Sequence, residues 1–232
     1  PARARRCGRN PAGMIDRLRG VIVSVQAPGS LLDTPATIAL LARVAEANGA
    51  SAVRVAGGAT IGAVRRAVTI PVIGLVKRAY DGFSPYITPT AREVAEVCAA
   101  GADIVAFDAT ARPRPGGAGV EELIDRILAH GVLAMADCSS GADGVRAAAA
   151  GAALVATTLC GYTAETAGRA LPALDVLQEL AHSGAAAIAE GGIGTPADVS
   201  AAFAGGAYAV VVGTAITNLD LLVKRFVAAK PT

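Results

Sequence analysis

Short runs of β-branched residues alternate with alanine-rich stretches along the whole chain, and few folds accommodate that alternation. Eight runs read as strands, at 21–25, 52–55, 72–76, 104–107, 133–136, 154–157, 186–189 and 209–212. Between and after them the pattern predicts helices near 35–48, 59–67, 90–100, 119–129, 141–150, 169–182, 196–204 and 216–228. Gly-Ala pairs at 49–50, 101–102, 151–152, 184–185 and 206–207 each stand just before a strand. Glycine tolerates the left-handed conformation that ends a helix, so each pair reads as a helix stop feeding a strand. Thr-Pro at 34–35, 88–89 and 195–196 reads as a helix start, since threonine caps and proline is tolerated in the first turn.

Strict strand–helix alternation implies a parallel sheet with its helices outside. An open doubly wound sheet competes with a closed barrel. However, Gln26-Ala27-Pro28-Gly29 follows the first strand where a dinucleotide-binding sheet carries a glycine-rich loop. The sequence therefore predicts an α/β protein, one (β/α)8 barrel over residues 14–232. Its 232 residues suit the roughly 250 such a barrel takes. Residues 1–13 are basic and aperiodic, and read as a disordered arm or as sequence upstream of a start at Met14.

Composition excludes several partners. Aromatics are 3% of the chain, too few for a base-stacking platform. The net charge of +2 turns to −2 without Arg3, Arg5, Arg6 and Arg9, so nucleic acid is not expected. No apolar run reaches the roughly 18 residues of a membrane span. Cys7, Cys98, Cys138 and Cys160 form no CxxC pair and have no histidine at zinc-like spacing, which suits a reduced, cytoplasmic protein. Cys138 and Cys160 fall near strand ends, where a reactive thiol competes with small apolar filler. His130 and His182 precede strands and read as helix-end residues rather than catalytic bases.

Catalytic groups of such barrels stand just past the C-terminal ends of the strands. Those positions hold Gln26, Arg54, Lys77, Asp108, Asp137, Thr158, Glu190 and Gly213, seven of them polar. Glycines follow strand seven at Gly191, Gly192 and Gly194 around Ile193, and strand eight at Gly213 before Thr214. Glycine lets backbone N–H groups approach an anion, and loops seven and eight are the frequent phosphate site of these barrels. Lys77 and Glu190 read as the chemical pair: a lysine at an apolar mouth near other cations loses proton affinity and acts as a base. The alternatives for Lys77 are a phosphate contact or a Schiff base, and for Glu190 a salt bridge to Arg54 or Lys77. Asp108, Asp137 and Glu190 lack histidines in reach, so neither metal nor cofactor is expected.

The motifs IVSVQA (22–27), PVIGLVKRAY (71–80), YITPT (86–90), GADIVAFDAT (101–110), MADCSS (135–140), TTLCGYT (157–163), AEGGIGTP (189–196) and VVVGTAIT (210–217) carry a resemblance. In that order they resemble the N-acetylmannosamine-6-phosphate 2-epimerase family, bacterial enzymes of sialic-acid catabolism with phosphate-binding barrels of the ribulose-phosphate type. The resemblance implies that Lys77 and Glu190 are catalytic and that Gln26, Arg54 and Asp137 contact the sugar, with Thr158 beside them. It implies that the loops at 191–194 and 213–215 and position 218 hold the phosphate. The chain departs from the family pattern at Val25, at Ala79 (usually an acid), at Cys138 and at Asn218 (often an arginine). The implied activity is C2 epimerisation of a phosphorylated amino sugar without a cofactor. Other readings are a thiamin-phosphate or thiazole synthase-like enzyme, a ribulose-phosphate epimerase-like enzyme, or a non-catalytic phosphosugar-binding relative. The apolar stretch from Ile216 to Ala229 packs on the barrel and offers a face for a homodimer.

Overall fold

In a computed structural model, which describes residues 11–230, eight parallel strands close in sequence order into one barrel. The strands are β1 (Gly20–Ser24), β2 (Ala52–Ala56), β3 (Val72–Leu75), β4 (Ile104–Asp108), β5 (Leu133–Asp137), β6 (Leu154–Ala156), β7 (Ala186–Glu190) and β8 (Ala209–Val212). The helices are α1 (Pro11–Asp16), α2 (Pro35–Ala47), α3 (Gly58–Ala67), α4 (Ala91–Ala99), α5 (Val120–Ala129), α6 (Gly141–Ala149), α7 (Leu174–Ala181), α8 (Pro196–Ala204), α9 (Thr214–Thr217) and α10 (Leu219–Ala228).

Two separate cores follow from the two faces of the sheet. Alternate strand residues, including Ile22, Ile73, Ile104, Met135, Leu154 and Ile188, fill the lumen and are fully buried. Their neighbours, such as Val53, Val105, Phe107 and Val155, face the helical shell. In α5, Val120, Leu123, Ile124 and Ile127 are buried at one-face helical spacing, each apolar side chain contributing roughly 1.5–3 kcal/mol on burial. The shell sits close: a Cβ on Gly74 of β3 would lie 2.8 Å from both Val97 Cγ1 and Ala102 Cβ. At the N-terminal end of the barrel, Tyr208 Oη donates to the Ile15 carbonyl (3.2 Å) and carries the Arg19 guanidinium 4.5 Å above its ring. Among the described residues no helix is long and apolar enough to cross a membrane.

The punctuation differs from expectation at four places. The Gly-Ala stops hold, with Gly101 at φ +94° and Gly151 at +101°. Thr34 and Thr195 cap α2 and α8. Thr88 caps nothing. Its hydroxyl turns inward onto the Ala106 carbonyl (2.7 Å), and Thr90, backed by Glu93 in a capping box, starts α4 instead. The seventh helix begins at Leu174 rather than near 169, because Pro172 disfavours helical backbone in the residue before it. The last helix is broken in two at Asn218 (φ −88°, ψ 77°). Met14 lies inside α1, which starts at Pro11, so the expected boundary cuts a helix; residues 1–10 of the proposed arm, with Cys7, lie outside the described residues.

Candidate active site

The lumen side chains define a parity, and the strand-end residues continue it. Two residues beyond Ala52, Leu75, Ala106, Met135, Ala156, Ile188 and Val211 stand Arg54, Lys77, Asp108, Asp137, Thr158, Glu190 and Gly213. Gln26 is four residues beyond Ile22. The period of two that buries the lumen thus also turns the chemistry inward. Gln26, Arg54, Lys77, Thr158, Glu190 and Gly213 surround a cavity of about 520 Å³. It is lined by Gln26, Arg54, Lys77, Thr158 and Glu190 and by Gly191, Gly192, Ile193, Gly213, Thr214 and Asn218. Asp137 lies fully buried beneath.

Arg54 stands deeper than a strand end, at the middle of β2 and 1% exposed. It donates from Nη1 and Nη2 to the two oxygens of Asp137 at 2.9 and 2.7 Å, spanning the lumen from β2 to β5. Its Nη1 also stands 3.0 Å from Glu190 Oε2. Burial opposes the charge on Arg54, but the two carboxylates outweigh it and hold the guanidinium protonated. Thr158 Oγ1 lies 2.8 Å from Asp137 Oδ1 and 3.0 Å from Glu190 Oε2. One hydroxyl proton serves one carboxylate, so the second contact is met as a hydrogen bond when Glu190 itself carries a proton. Burial first, and then the Asp137 charge, push the Glu190 carboxyl up against the pull of Arg54, to about 7. The Thr157 hydroxyl fixes its backbone, donating to Glu190 O (2.9 Å) and accepting from Glu190 N (3.0 Å).

Lys77 stands two residues past β3 and pairs with Ile87 in an antiparallel bridge. The loop is fastened below it. Thr88 N donates to Val76 O (2.7 Å), and Arg78 and Tyr80 both reach Glu93 on α4. Arg78 also pairs with Glu96, whereas Ala79 is exposed; the missing acid at 79 therefore leaves these pairs in place. Burial, then the nearby Arg54 charge, lower the Lys77 ammonium from the ordinary lysine range. Asp108 is not part of this group; it binds Thr110 and Arg112.

The loop after β7 requires glycine. Gly191 and Gly192 hold φ of +101° and +74°, and a Cβ on Gly192 would lie 2.4 Å from Leu171 Cβ. The Gly194 N–H is already taken by Asp198 (3.0 Å), which leaves the amides of residues 191–193 for an anion. Asn218 lines the cavity but spends its carboxamide oxygen capping α10, accepting from Leu221 N at 3.0 Å. Gln26 donates to Ser24 (2.9 Å), while its buried Oε1 has no partner among the described residues. Tyr86, Tyr162 and Arg225 also line the cavity and were not expected there. The signal for Arg225 was its helical spacing from Asn218; the tyrosines sit on loops, which carry no periodic signal.

Cys138 and Cys160 are fully buried, and burial raises both thiols, Cys160 to about 11, so they act as filler. Val25 is likewise buried in the shell. His130 and His182 follow α5 and α7 at the far ends of those helices. Among the described residues no three His, Cys, Asp or Glu are arranged to hold a metal ion.

A closed barrel with a lysine and a carboxyl group facing one cavity, displaced in opposite senses, defines a class of acid–base enzymes built on (β/α)8 barrels. Residues 38–231 match the family described as "Putative N-acetylmannosamine-6-phosphate epimerase", and the chain belongs to that family. Two relatives carry that name as 2-epimerases. One, from Caldanaerobacter subterraneus, is 45% identical over 90% of each chain. The other, from Thermosynechococcus vestitus, is 46% identical over 90% of this chain and 92% of its own. The solved N-acetylmannosamine-6-phosphate 2-epimerase of Clostridium perfringens superposes with a TM-score of 0.89 at 37% identity, covering 94% of this chain and 96% of its own.

Proposed function

We propose that this chain interconverts N-acetylmannosamine 6-phosphate and N-acetylglucosamine 6-phosphate in sialic-acid catabolism by moving the proton at C2. One observation carries the mechanism: Lys77 and Glu190 line one cavity, with the lysine shifted toward neutrality and the carboxyl toward protonation. A lysine that gives up its proton more readily and a carboxyl group that holds one more tightly supply a base and an acid to the same cavity.

Opening the sugar to its aldehyde places the C2 proton α to a carbonyl. Lys77, in its unprotonated form, takes that proton as the C2–H bond breaks, and the electron pair passes to the C1 carbonyl oxygen as an enolate that carries the acetamido nitrogen on C2. Reprotonation of C2 from Glu190 on the other face gives the epimer, leaving Lys77 charged and Glu190 ionised, the state that runs the reverse direction. Oxidation states are unchanged, so no redox cofactor enters. Arg54 and Gln26 stabilise the enolate oxygen, Asp137 holds Arg54 in place, and Thr158 orients Glu190. The amides of Gly191, Gly192 and Ile193, with Gly213, Thr214 and Asn218, receive the phosphate.

The reading extends to a cytoplasmic homodimer. Cys138 and Cys160, buried thiols outside any disulfide among the described residues, suit a reducing compartment. Leu219, Val223, Phe226 and Val227 on α10 are more than half exposed, an apolar face for a second copy.

Proton NMR of N-acetylmannosamine 6-phosphate in deuterated water tests the activity. We expect N-acetylglucosamine 6-phosphate to accumulate with deuterium at C2; absence of both conversion and exchange overturns the proposal. Borohydride trapping of substrate on Lys77 would instead favour a thiazole synthase-like Schiff base. Turnover of ribulose phosphates or thiamin precursors would favour the other barrel readings, and tight binding without exchange a non-catalytic relative.

A further inference from the structure

Among the described residues three cations line the cavity: Arg54, Lys77 and Arg225. Two of them are committed elsewhere. Arg54 is engaged by Asp137 and Glu190, and Lys77 is the proposed base. Arg225 has no salt bridge to an acid among the described residues. Asn218, Leu221, Leu222 and Arg225 all line the cavity. Leu221, Leu222 and Arg225, spaced i, i+1 and i+4, share one side of α10, and Asn218 is its N-cap. Helical side chains slant toward the helix N-terminus, and from Arg225 that is the direction of Asn218 and the loop after β8.

A sugar phosphate brings nearly two negative charges, and backbone amides offset them only in part. Asn218 adds no charge, and its acceptor is occupied by the α10 cap. We propose that Arg225 supplies the cation for the substrate phosphate, reaching it from α10 across the gap that Asn218 leaves. The inference rests on the epimerase reading above. A guanidinium presents paired N–H donors to phosphate oxygens, which a flexible ammonium does not match.

Steady-state kinetics of Arg225→Ala and Arg225→Lys, with inorganic phosphate as competitive inhibitor, test it. Losing one charge-assisted contact should raise KM for N-acetylmannosamine 6-phosphate roughly tenfold or more, with kcat nearly unchanged. The phosphate inhibition constant should weaken in parallel, and Arg225→Lys should recover part of both. Slow turnover of unphosphorylated N-acetylmannosamine should be insensitive to the change. Adding Asn218→Arg to Arg225→Ala should restore phosphate affinity by putting the cation on the same wall. Unchanged KM and phosphate inhibition in Arg225→Ala, or equal losses with both sugars, overturn the inference. Failure of the wild-type protein to epimerise would overturn the functional reading instead. Circular dichroism of each variant separates loss of phosphate affinity from loss of fold, and Arg225→Lys carries the test if Arg225→Ala does not fold.

Discussion

Arg54 and Asp137 join across the lumen, from β2 to β5, through two hydrogen bonds of 2.9 and 2.7 Å with both side chains almost wholly buried. Such a pair costs desolvation to assemble, but removing one partner leaves an uncompensated charge inside the barrel. Asp137→Asn should lower unfolding free energy by about 3–5 kcal/mol in urea melts. A double Arg54→Met, Asp137→Asn variant should lose less than the sum of the two single changes. Additive losses would show that the pair is not coupled.

Lys77→Ala should abolish exchange of the C2 proton with deuterated solvent and lower kcat by about 10²- to 10⁴-fold. Exchange at the wild-type rate in that variant would remove Lys77 from the chemistry. Melting temperature should barely move, since the loop is fastened by Thr88 and Glu93 rather than by the lysine.

The pH profile reports the acid and the base separately. The direction that begins from neutral Lys77 and protonated Glu190 loses its acid as pH rises through about 7 and its base as pH falls below the Lys77 pKa. The dependence of kcat/KM should therefore be bell-shaped. Asp137 pushes the Glu190 carboxyl upward, so Asp137→Asn should move whichever inflection Glu190 sets to lower pH. Glu190→Gln should erase that inflection from what activity remains. Its persistence in Glu190→Gln would assign it to another group.

Gly192→Ala combines a left-handed backbone (φ +74°) with a Cβ placed 2.4 Å from Leu171 Cβ and 3.1 Å from Leu171 C. The β7–α8 loop must shift, and KM for the phosphosugar should rise at least tenfold, the equivalent of about 1.4 kcal/mol. Gly116→Ala is the control. Its φ is +77°, but the added methyl meets nothing within 4 Å, so KM should not change.

Most of the cavity lining was legible because a barrel converts sequence periodicity into position. Once the strands were counted, Lys77, Thr158, Glu190 and Gly213 had to rise from the sheet at the same end. Depth was less legible: Arg54 looked like a strand-end residue and stands mid-strand, because the run 52–55 continues into the lumen. Thr88 misled because a Thr-Pro pair carries the same local signal whether its hydroxyl caps a helix or braces a strand. The split at Asn218 was hidden by an apolar stretch that runs through it. Tyr86 and Tyr162 enter from loops, where tertiary packing alone decides the direction of a side chain.

The shared parity of the lumen and the site also constrains how this barrel can change. Inserting or deleting one residue within β5 ahead of Asp137 would turn its carboxylate into the helical shell and bring Cys138 or Ala136 to the cavity. The same holds for Glu190 on β7 and Arg54 on β2. Length variation in this lineage should therefore collect in the loops beyond the strands and in the helices, while the strands themselves accept substitutions but keep their reading frame.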